Sequence, residues 1–218
     1  MSDWLVWQVV DSAFPTGTFA HSWGLEAAWQ QGGIETPAAL EAFVRASAQQ
    51  AAYAAIPLVN AAYCHPGRLE ALDELAEAFL LNAVANRASR IQGRTLVTTA
   101  CRVWPSDALL ALAGRTPSLH AHAAPLTGAT FRAIDLPLAT VQRVVLHATA
   151  RGVLSAAVRL GIVGSYEAQR MQYACGSTLD CLAARCADLD ETDLVQTAPV
   201  IDLLQAAHDR LYSRLFQS

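Results

Sequence analysis

The chain has 218 residues, of which 53% are hydrophobic and only 16% are charged, whereas an ordinary soluble domain carries roughly 25% charged residues. Part of the surface must therefore be apolar or covered by alanine, which favours self-association and partner interfaces. All fifteen basic residues are arginine, so Schiff-base chemistry and a phosphate-loop lysine are excluded. The net charge of -4, without a dense arginine cluster, argues against nucleic-acid binding.

The first predicted helices are short and end at turn signals. One covers residues 4–12 and stops at the Pro15–Gly17 turn, and the next covers residues 21–31 and stops at Gly32. Thr36 then precedes Pro37, a pairing typical of a helix N-terminus. Apolar residues recur at three- and four-residue spacing through the helix that follows, with a break or kink near Pro57.

Longer helices are predicted in the second half. One runs from 69 to 103, Ser106 caps a short one, and 116–135 is a loop with a short helix. The helix at about 137–160 carries Arg143, Arg151 and Arg159 as its only charges, so it should be central and buried. Pro199 opens the last helix. We therefore expect an all-α fold, a single-domain bundle of about eight to ten helices over residues 1–218.

Compartment signals favour the cytoplasm. The five cysteines are odd in number and scattered, and the first residues lack the features of a signal peptide. The longest charge-free stretch, residues 46–67, is mostly alanine and contains Gln49, Gln50 and Asn60. We therefore expect no membrane span and no membrane partner.

Catalytic and metal patterns are weak. His120 and His122 could form a metal site with His65 or a cysteine, but no second close pair of ligands follows. A structural or solvated role is favoured. Asp11, His21 and Ser22 could form a triad on paper, yet nothing resembles a nucleophile elbow. We expect no catalytic residues, no metal ligands and no cofactor.

Two segments are candidates for protein binding. Residues 11–26 place Phe19, His21 and Trp23 beside a Pro-Gly turn. Either Phe14 and Phe19 pin this loop to the core, or the segment forms a protein-binding surface with aromatic anchors. Residues 208–218 carry Phe216 two positions from the end, where it docks either on a partner or on its own chain.

Four ordered motifs resemble the urease accessory protein UreF family. The opening DSAFPTGTFAHSWGLEAA is similar to the family's N-terminal signature, SRIQGRTL to its central motif, LSAAVRLGIVG to its buried-helix motif, and APVIDLLQAAHDRLYSRLFQS to its C-terminus. Departures occur at Thr18, Trp23, Ile56 and Asn86, which bear on the details of GTPase contact.

The resemblance implies a non-catalytic, all-α scaffold that forms a homodimer. It implies three partners: a second accessory protein (UreD/UreH-like), a nickel-carrying GTPase (UreG-like) and apo-urease, into which nickel is inserted. Carried over to this chain, the partner-binding residues are Phe19, His21, Ser22, Trp23, Glu26, Gln92, Arg94, His208, Arg214, Leu215, Phe216 and Ser218. The alternative function is a nickel-binding metallochaperone that uses its own histidines.

Two expectations follow for particular residues. Arg94 and Arg159 should pair with buried carboxylates or reach a partner's acidic groups, because an unpaired buried guanidinium is costly. Removal of the residues from Ser213 onward should leave helical content intact but weaken complex formation.

Overall fold

The computed structural model describes residues 3–17 and 20–217, and these form α-helices joined by short 3-10 turns and loops, with no strand among them. The predicted all-α bundle is confirmed. The α-helices are, in chain order, α1 (Asp3–Val10), α2 (Leu25–Gln30), α3 (Pro37–Gln50), α4 (Ile56–Cys64), α5 (Leu69–Phe79), α6 (Ala83–Val103), α7 (Asp107–Arg115), α8 (Ala123–Ala133), α9 (Leu138–Arg159), α10 (Ser165–Ala174), α11 (Gly176–Cys186) and α12 (Pro199–Ala207).

Side-chain caps set several of these boundaries. Thr36 Oγ1 accepts the Ala39 N–H at the start of α3, and Ser106 Oγ accepts the Leu109 N–H at the start of α7. Asn82 Oδ1 accepts the backbone N–H groups of Val84 and Ala85. This last cap divides the predicted helix over 69–103 into α5 and α6.

The predicted break near Pro57 takes the form of a π-turn over Ala51–Ala55, which makes α3 and α4 one continuous run. Pro57 has no N–H to donate to the Tyr53 carbonyl. That carbonyl accepts the Val195 N–H instead, at 3.1 Å. Gln50 Oε1 holds the same segment by accepting from Thr197 and Ala198. The π-turn therefore ties the chain before α12 to the first half of the bundle.

Helix α9 lies at the centre of the bundle, as predicted, and contacts α1, α3, α4, α8, α10 and α11. Its buried residues include Val141, Leu146, Ala150, Val153 and Ala157. Its alanines and Gly152 let neighbouring segments approach closely. No helix of the described residues is long and apolar enough to cross a membrane.

Two glycines allow a helix to touch a neighbouring backbone segment. A Cβ on Gly128 of α8 would lie 2.2 Å from the Val59 carbonyl oxygen of α4. A Cβ on Gly93 of α6 would lie 2.2 Å from the Ala121 carbonyl oxygen. Neither position can hold a larger residue without moving a backbone segment. The glycine of the central motif SRIQGRTL is thus explained by packing.

Candidate functional site

The first loop and the end of the chain lie against each other. The Gln217 N–H donates to the Ala20 carbonyl at 2.8 Å, and Gln30 Nε2 donates to the Ser213 carbonyl at 3.0 Å. We call residues 20–26 together with 208–217 the terminal junction. It joins the two segments for which the sequence predicts partner binding. Phe19 and Ser218, also predicted for this role, and Thr18 lie outside the described residues.

Glu26 is the anchor of the terminal junction. Its side chain is 2% exposed and accepts the backbone N–H groups of Leu215 at 2.6 Å and Phe216 at 3.3 Å. His208 Nε2 lies 3.1 Å from the same carboxylate. A buried carboxylate must be paired and hydrogen-bonded to be tolerated. Glu26 therefore holds the tail through three contacts.

Two histidines are buried beside this anchor. His208 is fully buried, and His21 is 4% exposed. Burial, and secondly the charge of nearby His208, lower the pKa of His21 to about 4. His21 is consequently neutral at pH 7.

Phe216 docks on its own chain. It belongs to the same core cluster as Leu25, Val153 and Ala157, and the Arg159 guanidinium carbon lies 4.2 Å from its ring centroid. This cation–π contact adds to the burial of the ring. Of the two interpretations offered by the sequence, the structure therefore favours docking of Phe216 on its own chain.

The loop geometry depends on two left-handed residues that precede α2 and delay its start to Leu25. Trp23 has a φ of 59° and Gly24 a φ of 85°. A Cβ on Gly24 would lie 3.0 Å from Gln205 Cγ and 3.3 Å from the Ile201 carbonyl oxygen. The Trp23 indole nitrogen lies just 2.9 Å from where a Cβ on Gly152 would be. The loop is thus fitted closely to α12 and α9.

The remaining predicted site residues divide by exposure. Ser22 and Gln92 are buried, Trp23 is half-buried, and Arg94, Arg214 and Leu215 are exposed. Arg94 donates to the His120 carbonyl at 3.3 Å and so meets no buried carboxylate there. Of the two expectations for Arg94, contact with a partner's acidic group is the one that remains.

The loop from Leu119 to His122 is held by a second carboxylate anchor. Asp73, 1% exposed, accepts the N–H groups of Ala121 at 3.1 Å and His122 at 2.8 Å. His122 is fully buried, with Nε2 2.8 Å from Glu77 and Nδ1 3.2 Å from Ser89 Oγ. Both ring nitrogens are thus engaged, which favours the structural role.

The electrostatics of this second cluster follow from burial and hydrogen bonding. Burial lowers the pKa of His122, opposed by its hydrogen bond to Glu77. Hydrogen bonds from Asn86 and then His122 lower the pKa of Glu77. Asn86, a departure from the family pattern, is therefore part of this network. Within residues 3–17 and 20–217, no three His, Cys, Asp or Glu side chains are grouped to hold a metal ion.

A cavity of about 320 Å³ lies between α3, α6, α8, α9 and α12. Its walls are largely apolar, with His21, Gln92, His147 and Gln205 among the polar lining residues. Ser47 Oγ is buried at this wall without a hydrogen-bond partner in the protein. The space and the polar groups suit water molecules.

Sequence reasoning missed several buried polar anchors. Asp73 lies outside the sequence motifs. Gln50 and Asn60 were considered only as polar residues that argue against a membrane span. Asn60 Nδ2 donates to the Cys186 and Leu189 carbonyls. The available signal was a polar residue on an otherwise apolar helix face, because such a residue requires a partner when buried. Ile56, another departure, is fully buried with Leu146 and Leu182.

The fold of the described residues places this chain in the class of all-α proteins, and its terminal junction joins residues 20–26 to residues 208–217. Comparison with known proteins identifies the family within that class. The UreF family model matches residues 34–176. The chain therefore belongs to the UreF family.

Relatives match over nearly the whole chain. Urease accessory protein F of Arabidopsis thaliana is 35% identical, with 99% of this chain and 92% of that protein covered. Urease accessory protein F of Oryza sativa subsp. japonica is 33% identical, with 98% and 84% covered. Urease accessory protein UreF of Rhodopseudomonas palustris (strain BisA53) is 31% identical, with 94% and 89% covered.

Proposed function

We propose that this protein is a non-catalytic scaffold of urease maturation in the cytoplasm. In this role a homodimer binds a second accessory protein (UreD/UreH-like) and a nickel-carrying GTPase (UreG-like), and the assembly supports nickel insertion into apo-urease. The observation that carries the proposal is family membership over nearly the whole chain, since the relatives are named as urease accessory proteins.

The physical character of the chain supports a binding role. Its surface has few charges, and large apolar side chains such as Trp4, Trp7 and Tyr212 are mostly exposed. Exposed aromatic residues are common anchors of protein interfaces. Binding of a partner over such side chains removes apolar surface from water, which lowers the free energy.

The predicted partner-binding residues act in two ways under this proposal. Arg94, Arg214 and Leu215 are exposed and can contact a partner directly. The buried residues Glu26 and His208, with their neighbours, fix the shape of the surface that the exposed ones present. Substitutions in the buried group should therefore alter stability and binding together, and substitutions in the exposed group binding alone.

Size-exclusion chromatography with light scattering tests the proposal. The purified protein is measured alone, then mixed with the purified GTPase and the purified second accessory protein. A dimer that gathers both proteins into one larger complex is expected. A monomer that binds neither protein would overturn the scaffold function.

A further inference from the structure

The cavity between α3, α6, α8, α9 and α12 is large enough for an organic molecule. Its volume of about 320 Å³ falls within the range of ligand pockets in proteins, roughly 300–1,000 Å³. Most of its wall is apolar, including Ala88, Leu96 and Phe131. Water beside such walls finds few hydrogen-bond partners, so its displacement by an apolar group is favourable. The exposed residue Asp11 also lines the cavity, which therefore reaches the surface near the end of α1.

Gln92 is a buried polar side chain on the wall of this cavity. It is 8% exposed, and no hydrogen bond joins its amide to another residue within 3–17 and 20–217. The sequence predicts Gln92 for partner binding, but its burial prevents direct contact with another protein. A buried amide normally has a hydrogen-bond partner. The partner of Gln92 must therefore be a molecule inside the cavity, either water or a ligand.

Ser47 is a second wall residue of this kind, and it lies beside the middle of α9. Helices α3 and α9 pack antiparallel. Two core clusters show this direction, one with Val44 and Val153 and the other with Ala52 and Leu146. Ser47 thus lies at the level of residues 149–151 of α9. It is 6% exposed, and its hydroxyl has no hydrogen-bond partner among the described residues.

Arg151 supplies an uncommitted positive charge at the same level. It is half-buried and lines the cavity, and no ion pair joins it to a carboxylate in the described part of the chain. Asp11 and Asp202 also line the cavity, but each already accepts a hydrogen bond. Asp11 accepts the Ala13 N–H at 2.7 Å, and the Asp202 carboxylate accepts from Asn82 Nδ2 at 3.2 Å.

We infer that this cavity binds a small amphipathic carboxylate, with its apolar tail against the alanine- and valine-rich walls and its head on Arg151 and Ser47. The Gln92 amide donates to the head directly or through one water molecule. The uncommitted groups of the wall can all donate hydrogen bonds, and an ionised carboxylate only accepts them. Hydrogen bonds between charged groups are also the stronger ones. This site goes beyond the scaffold function and does not depend on it.

Calorimetric titration of the purified protein with octanoate tests the inference. We expect saturable binding at one site per chain. Hexanoate should bind roughly 10-fold more weakly, because each of the two missing methylene groups contributes about 4-fold when buried. Octanamide has a tail of the same length without the charge, and it should also bind about 10-fold more weakly than octanoate.

Two variants locate the head and the tail of the ligand. Arg151→Gln should weaken octanoate binding by about 10- to 100-fold and leave octanamide binding unchanged. Arg143→Gln is the matched control, because Arg143 lies on the same helix with its side chain 71% exposed, and it should bind octanoate as the wild type does. Ala88→Leu narrows the cavity one turn before Gln92 and should abolish binding of both probes. Circular dichroism establishes that each variant retains its fold.

Three results would overturn the inference. A wild-type protein that takes up no octanoate at millimolar concentration has a cavity that holds water only. Octanoate affinity that is equal in the wild type and Arg151→Gln places any binding elsewhere on the protein, and this comparison stands even if Ala88→Leu fails to fold. Equal affinities for octanoate and octanamide exclude a carboxylate-specific head site. None of these measurements involves the GTPase or the second accessory protein, so they leave the scaffold function untouched.

Discussion

The terminal junction and the loop over residues 119–122 use the same device, a buried carboxylate that accepts two consecutive backbone N–H groups. Glu26 receives Leu215 and Phe216, and Asp73 receives Ala121 and His122. Their surroundings differ. Most of residues 211–217 is exposed apart from Phe216, whereas Leu119, Ala121 and His122 are buried.

This difference decides whether water can replace the carboxylate as hydrogen-bond acceptor when an anchor is lost. The tail can separate from Glu26 and let water satisfy its donors at modest cost. The loop on Asp73 cannot reach water without opening the packing of α5, α6 and α8. The contact of Glu26 with the tail can therefore open locally, whereas the contact of Asp73 with its loop opens only when the whole protein unfolds.

Asp73→Ala should show the largest effect of the changes that test this comparison. Two buried N–H groups lose their acceptor, so we expect the free energy of unfolding to fall by about 3–5 kcal/mol. Urea denaturation followed by circular dichroism measures it. Asp107→Ala, at an exposed first-turn position of α7, should cost less than about 1 kcal/mol. Equal losses in both variants would contradict the assignment of Asp73 as an anchor.

Phe216→Ala should cost about 2–4 kcal/mol, because the ring leaves a packed core cluster. Helical content should persist. Deletion from Ser213 onward should behave in the same way and also weaken complex formation. Tyr212→Ala, which changes a fully exposed neighbour, serves as the control in the same thermal and urea measurements. A Phe216→Ala variant as stable as the control would place the ring outside the core in solution.

Glu26→Ala should cost about 1–3 kcal/mol, less than Asp73→Ala, because the tail donors can be hydrated. Amide hydrogen exchange at Leu215 and Phe216 should accelerate strongly, while exchange in α9 stays slow. Glu35→Ala, at an exposed position, should leave both unchanged. Uniform acceleration across the whole bundle would show that the junction does not open locally.

The pH dependence of stability tests the burial of His21 beside the terminal junction. The pKa of His21 is about 4 in the folded protein and 6.5 ordinarily, so the unfolded chain binds more protons between these values. Stability is therefore lost as pH falls from about 6.5 towards about 4, by no more than about 1.4 kcal/mol per pH unit for this group.

Urea denaturation of the wild type and His21→Gln over that pH range measures the contribution. His122 and His147 also have lowered pKa values through burial, so a residual slope of the same sign should remain in the variant. An unchanged slope in His21→Gln would show that His21 is protonated in the folded protein at these pH values.

Much of the helical architecture can be predicted from the local sequence. Thr36–Pro37 and Ser106 marked helix starts that the structure contains, and the scarcity of charge in 137–160 indicated a central helix. The division at Asn82 was missed, because an asparagine cap inside an apolar periodic stretch resembles a tolerated polar residue. For the candidate site, the motifs brought Glu26 and Phe216 to attention but gave no sign that they meet.

By itself, the sequence determined the helical class, the central place of α9 and the family, since these depend on composition, short-range periodicity and ordered motifs. Only the tertiary structure showed that Phe216 packs in the core of its own chain, that Asp73 holds the loop over residues 119–122, and that Glu26 holds the C-terminal tail. These are contacts between residues far apart in the chain, such as Glu26 and Leu215. No local spacing encodes them, because they depend on how the helices pack together.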